Sequence, residues 1–105
     1  MTTIREIVES PVEQGIDEEI IYTLTTTPYG SSPTSQSVAV YDITSGVYTD
    51  VTATVMPTNT PTVSNDIITL SPLKDLTAGS QYRVEVKFTS SGNIFEPYSI
   101  INAKR

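Results

Sequence analysis

Turn-forming residues interrupt this chain so often that no long regular element fits between them. Pro11, Gly15, Pro28-Tyr29-Gly30, Pro33, Ser45-Gly46, Pro57, Pro61, Pro72, Gly79 and Ser91-Gly92-Asn93 leave only short runs, and those runs are rich in Val, Ile, Thr and Tyr. Seven prolines exclude long helices, because an interior proline removes a backbone donor and clashes with the preceding turn. Short β-branched and aromatic segments between regular turns are the pattern of an all-β sandwich or barrel.

The runs place the expected strands. Ile4 to Val8 is a first strand that Pro11 bends or ends, and Ile20 to Thr26 is a second. Ser37 to Ile43 follows, then Val51 to Met56 with a hairpin partner at Val47 to Thr49, then Asp66 to Leu70. Gln81 to Thr89 is the clearest: Tyr82, Val84, Val86 and Phe88 point to one face, while Arg83, Glu85 and Lys87 point to the other. One packed and one solvated face suits an antiparallel sheet. Ser90-Ser91-Gly92-Asn93 reads as a hairpin loop into a last strand, Phe95 to Ala103. The polar segments Thr58 to Asn65 and Gly30 to Gln36 read as loops. A helix starting at Asp17 would fail within a turn at the threonines and Pro28, so Asp17-Glu18-Glu19 reads as a solvated approach to a strand.

At 105 residues the expectation is one domain, 1–105, with a modest core that buries roughly 65% of the unfolded surface. A net charge of −6 argues against nucleic acid, which needs clustered cations to release counterions, and against an anionic membrane surface. No apolar run approaches the ~18 residues of a membrane span. The N-terminal Met-Thr-Thr-Ile-Arg-Glu-Ile-Val-Glu lacks the apolar stretch of a signal peptide. The expectation is a whole gene product without export signal, located in a bacterial cytoplasm or assembled in a particle.

The chemistry available is narrow. With no His and no Cys, nucleophilic triads and the common zinc sites are impossible, and no phosphate-binding glycine loop occurs. Catalytic, cofactor and metal residues are therefore all expected to be absent. The densest acidic group, Asp17-Glu18-Glu19 with Glu13 nearby, offers the oxygen ligands that calcium takes, yet its spacing matches no calcium loop and it reads as solvated surface. Six tyrosines are the remaining resource. Tyr22 and Tyr82 read as structural; Tyr29, in the Pro-Tyr-Gly loop, and Tyr41 and Tyr48, flanking a hairpin, are the candidates for exposure or for cross-strand pairing.

The stretch Leu73-Lys74-Asp75-Leu76-Thr77-Ala78-Gly79-Ser80-Gln81-Tyr82-Arg83-Val84-Glu85-Val86 resembles the corner between two strands in fibronectin type III and related immunoglobulin-like domains. The resemblance implies that Leu76, Gly79 and Tyr82 form a structural corner in which the phenol bonds backbone upstream. The fold it implies is an antiparallel two-sheet immunoglobulin-like sandwich of about seven strands. The chain has neither the core Trp usual in fibronectin type III domains nor the Cys pair of antibody domains. A looser likeness runs through Pro-Val-Glu-Gln-Gly, Val-Ala-Val-Tyr-Asp-Ile, Thr-Asp-Val-Thr-Ala-Thr-Val and the corner, which together look like small immunoglobulin-like proteins of bacteriophages and prophages. That likeness implies a non-catalytic structural or protein-interaction role in or on a virion, with a protein partner or self-assembly. The alternative is a carbohydrate-binding or adhesin-type surface module. Contacts are expected at the loop tips around Tyr29 and Asn93, because sandwich domains commonly bind through end loops.

Overall fold

The alternation through Tyr82–Phe88 becomes the spine of the molecule. In a computed structural model, which describes residues 11–105, the longest strand is β7 (Gln81–Ser90), and its inward positions Tyr82, Val84, Val86, Phe88 and Ser90 are all buried. β7 is central in a large sheet with β1 (Val12–Gly15), β3 (Thr34–Asp42), β4 (Thr49–Asp50), β8 (Asn93–Phe95) and β9 (Tyr98–Lys104). The path is β1-β9-β7-β3-β4, with β8 also on β7. A second sheet has the order β2 (Thr23–Thr25), β6 (Ile67–Thr69), β5 (Thr62–Ser64). The architecture is all-β and compatible with an immunoglobulin-like sandwich. The expected strand at Ile4 to Val8 lies outside the described residues.

One hydrophobic cluster joins the two sheets. Val38, Val40, Val84, Val86, Phe88 and Ile101 come from the large sheet, and Leu24, Ile68 and Leu70 from the small sheet or its immediate continuation. No helix among the described residues is long and apolar enough to cross a membrane.

The expectation of a wholly antiparallel sandwich needs correction. β1 runs parallel to β9, with Val12 opposite Ile101 and Gly15 opposite Lys104. Only strands joined by a tight hairpin must run antiparallel. β1 and β9 come from opposite ends of the described chain, so no hairpin constrains them. Gln14 fixes β1 in place. It is fully buried, donates to the carbonyls of Leu73 (2.8 Å) and Glu18 (3.1 Å), and accepts from the Tyr22 hydroxyl at 2.7 Å. A buried amide with every group paired specifies one arrangement, because each alternative leaves a polar atom unsatisfied.

Val51 to Met56 is not a strand. Asp50 and Thr49 pair with Tyr41 and Asp42, but the chain then winds into one helical turn, α1 (Thr52–Val55). The Asp50 carboxylate accepts from the Thr52 backbone N–H (2.9 Å) and hydroxyl (2.7 Å), a local turn that competes with extended backbone. The Thr52 hydroxyl in turn accepts from the Val40 N–H, ending the ladder with β3. The turn delivers Val55 and Met56 to the core.

Thr58 to Asn65 contains a strand rather than only a loop. β5 pairs with β6 through a two-residue turn at Asn65-Asp66, both at positive φ (50° and 63°). Two successive left-handed residues make the type I′ turn whose twist suits a hairpin, and Asn and Asp tolerate that geometry. The loop at Ser91-Gly92 is built likewise, with φ of 51° and 81°. The expected last strand is interrupted: β8 and β9 flank Glu96-Pro97, where Pro97 cannot donate and its carbonyl instead accepts from the Val86 N–H at 2.9 Å.

Candidate interaction surface

The sequence-derived residues divide between the two ends of β7. At the end where β7 begins, Tyr82 is 2% exposed, and its hydroxyl accepts from the Thr77 N–H at 2.9 Å. Leu76 is buried beside it. Gly79 has φ of +83°, a left-handed conformation costly for a residue with a Cβ, and its N–H reaches the Ala103 carbonyl at 3.0 Å. The Thr77 bond thus ties the start of β7 to the loop that carries Leu76 and Gly79, and it gives the buried phenol its hydrogen-bond partner.

At the other end lie Tyr29 and Asn93. The Tyr29 ring is half-buried and packs edge-on to Phe88 (centroids 6.1 Å apart) and tilted against Phe95 (5.9 Å). Its loop is fastened by the Ser90 hydroxyl, which donates to the Ser31 carbonyl at 2.6 Å. A Cβ on Gly30 would collide with the Ser90 side chain, so the close approach needs glycine. Asn93 is exposed at the start of β8, beside Ile94, which is also exposed. Of the two residues singled out at this end, Asn93 faces outward and the Tyr29 ring is turned largely to packing.

The acidic segment shows no ligand geometry. The Glu18 carboxylate accepts from the Gly15 N–H at 2.6 Å, and among the described residues no three His, Cys, Asp or Glu side chains are grouped to hold a metal.

The outer face of the large sheet gathers a different set. Strand register sets Tyr41 opposite Arg83 and Arg83 opposite Ile100; one step along, Ala39 faces Glu85 and Glu85 faces Tyr98. The Arg83 guanidinium carbon sits 3.6 Å from the centroid of the Tyr98 ring and 5.6 Å from that of Tyr48. Its Nε donates to Glu85 at 2.7 Å, and the two side chains are only 12% and 15% exposed. Tyr48 lies against Tyr41, with centroids 5.8 Å apart, yet is 55% exposed.

The electrostatics follow from this crowding. The Tyr41 phenol is pushed up from its ordinary value by desolvation and then by the carboxylates of Glu85, Asp50 and Glu96. Asp50 is held below the usual carboxylate value by the Thr52 backbone N–H and then the Thr52 hydroxyl. The face therefore combines fixed aromatic rings, a sandwiched guanidinium and a rim of carboxylates. Tyr and Arg held in defined positions are the residue types that dominate protein contacts, because they bury much area with little further loss of freedom.

The sequence marks Tyr41 and Tyr48 as flanking a hairpin, but its alternation sets Arg83 among solvent-facing charges and nothing in it singles out Tyr98. The missing quantity was register: Tyr98 meets Arg83 only because β9 pairs with β7 on the far side from β3. No protein-family model and no curated protein sequence matches this chain.

Proposed function

We propose that this chain is a non-catalytic structural or protein-interaction module built on an immunoglobulin-like sandwich, an accessory protein of a phage or prophage particle. Its two-sheet order and the Leu76-Gly79-Tyr82 corner support the sandwich. The likeness of its ordered segments to small phage-encoded proteins supports the setting. The contact role rests on one observation: Tyr48 is more than half exposed while its ring lies against Tyr41 and the Arg83 guanidinium. Such a ring is ready to bury area on a partner without first being ordered.

The test uses purified particles from a strain that encodes the chain. Mass spectrometry is expected to find the protein in them, and Tyr48→Ala is expected to lower its occupancy roughly tenfold or more, as for a contact worth over ~1.4 kcal/mol. A protein that is expressed but absent from particles would remove the virion setting. Glycan binding abolished by Tyr48→Ala would move the function to carbohydrate recognition instead.

A further inference from the structure

A separate surface is the edge of β2 that faces away from β6, along which no described strand pairs. Leu70 donates to the Tyr22 carbonyl (2.9 Å), and Thr26 donates to the Asp66 carbonyl (2.8 Å), so the even-numbered residues of this segment bond toward β6. Ile20 obeys the same parity, exchanging both its bonds with Leu73 at 3.1 and 2.9 Å. In an antiparallel ladder the alternate residues point their backbone groups the other way. Ile21, Thr23 and Thr25 thus direct N–H and C=O outward, and no backbone bond from a described residue reaches Ile21.

The other terminal strands among the described residues are blunted, and the β3 edge beyond β4 is crossed by Asn59, which donates to the Val38 carbonyl at 2.8 Å, and by the Thr52 hydroxyl, which accepts from the Val40 N–H at 2.9 Å. β1 follows Pro11 and carries Glu13; β4 has two residues, one of them Asp50. β5 follows Pro61 and ends in the Asn65-Asp66 turn, and β8 runs into Glu96 and Pro97. Charges, prolines and shortness are the usual protections of a strand edge. Residues 20–27, Ile-Ile-Tyr-Thr-Leu-Thr-Thr-Thr, have no charge and no proline, and Ile21 is 58% exposed.

We propose that a second copy of this chain pairs along this edge, antiparallel about a two-fold axis at Thr23. In that register Ile21 lies opposite Thr25 of the second copy, Thr23 opposite Thr23, and Thr25 opposite Ile21. All outward-bonding residues then meet one another, giving about six interchain hydrogen bonds, and the two small sheets become one. Side chains stay on their own faces: Tyr22 opposes Leu24 within, and Ile21 is covered by Thr25 without. The edge itself selects this occupant: it is uncharged and unblunted, so the matching edge this chain offers is the same one on a second copy, and charge leaves the approach open there. The chain carries a net charge of −6, so two copies approach best along a stretch without carboxylates. The same two-fold places the two Glu19 residues eight positions apart, about 27 Å along the strands. That exceeds a screening length of about 8 Å at physiological salt.

The test is light scattering on the full chain, with cysteines introduced into a protein that has none. A dimer mass is expected. Thr23→Cys is expected to form a disulfide across the axis on mild oxidation, since directly opposite residues lie about 5.5 Å apart, within disulfide reach. Thr25→Cys places its two thiols about 14 Å apart along the strands and should cross-link at least about tenfold more slowly. Thr23→Lys sets two ammonium groups together at the axis and should return the monomer. A monomer mass up to about 1 mM, equal cross-linking of the two cysteine variants, or a Thr23→Lys dimer would each overturn the proposal.

Discussion

The two sheets share one core but present opposite exteriors. The large sheet turns outward tyrosines, a guanidinium and carboxylates locked by ring contacts and an ion pair. On the small sheet, register aligns Thr23, Thr69 and Thr62 in one outward row and Thr25, Ile67 and Ser64 in the next, with no charge in either. The inner faces differ as well: β7 alone supplies four buried apolar residues, whereas β5 supplies none. A sheet with ten-residue and nine-residue strands can hold specific side-chain clusters on both faces. A sheet of three-residue strands depends on its neighbour for stability and keeps an unfinished border.

Three measurements would sharpen or break that contrast. The largest effect is expected at the centre of the large sheet. Phe88→Ala, at a site with no exposure, should lower the stability measured by urea unfolding by about 3–5 kcal/mol. Ile67→Ala, at a residue 38% exposed on the small sheet, should fall within about 1 kcal/mol. Equal losses would mean that the small sheet carries as much of the fold. On the outer faces, Arg83→Ala removes the stack on Tyr98 and leaves Glu85 unpaired, and about 1–2 kcal/mol is expected. Thr25→Ala should stay within about 0.5 kcal/mol; a difference no larger than this for Arg83→Ala would reduce the cluster to decoration.

The smallest effect is electrostatic. Because the folded state holds Asp50 below its ordinary value of 3.8, the stability this group adds is complete above that value and is lost as pH falls through the folded one. Acid unfolding of Asp50→Asn should therefore lack a small increment that the parent loses below about pH 3.8. A Thr69→Asn control on the charge-free face should follow the parent. Parallel curves for parent and Asp50→Asn would remove Asp50 from the account.

Periodicity explains what could be read in advance. β7 was legible because apolar and charged residues alternate without a break from Tyr82 to Phe88. The bond from the Thr77 N–H to the Tyr82 hydroxyl joins residues five apart, a local spacing that needs no knowledge of distant partners. β5 escaped because Thr62-Val63-Ser64 is exposed throughout and lacks an apolar stripe; the Asn65-Asp66 pair was its one signal. Val51 to Met56 misled because Val51, Ala53 and Val55 alternate as a strand would, while the Asp50–Thr52 turn that overrides them depends on hydrogen bonds. The Tyr–Arg cluster was hidden for a related reason: its members come from separate strands and meet only through register.

The parallel seam between β1 and β9 sets a timetable for synthesis. Val12 cannot take its place until Ile101 has left the ribosome, and β7 lacks β9 on one flank until then. At roughly 5–20 residues per second, the emerging chain spends about 1–3 seconds with that flank bare after β7 is made. The large sheet therefore closes only once β9 has been made, so a pause or truncation before Tyr98 leaves β1 without its partner and one flank of β7 unsealed. Ribosome-bound chains of increasing length should stay protease-sensitive until β9 clears the exit tunnel, then become resistant in one step.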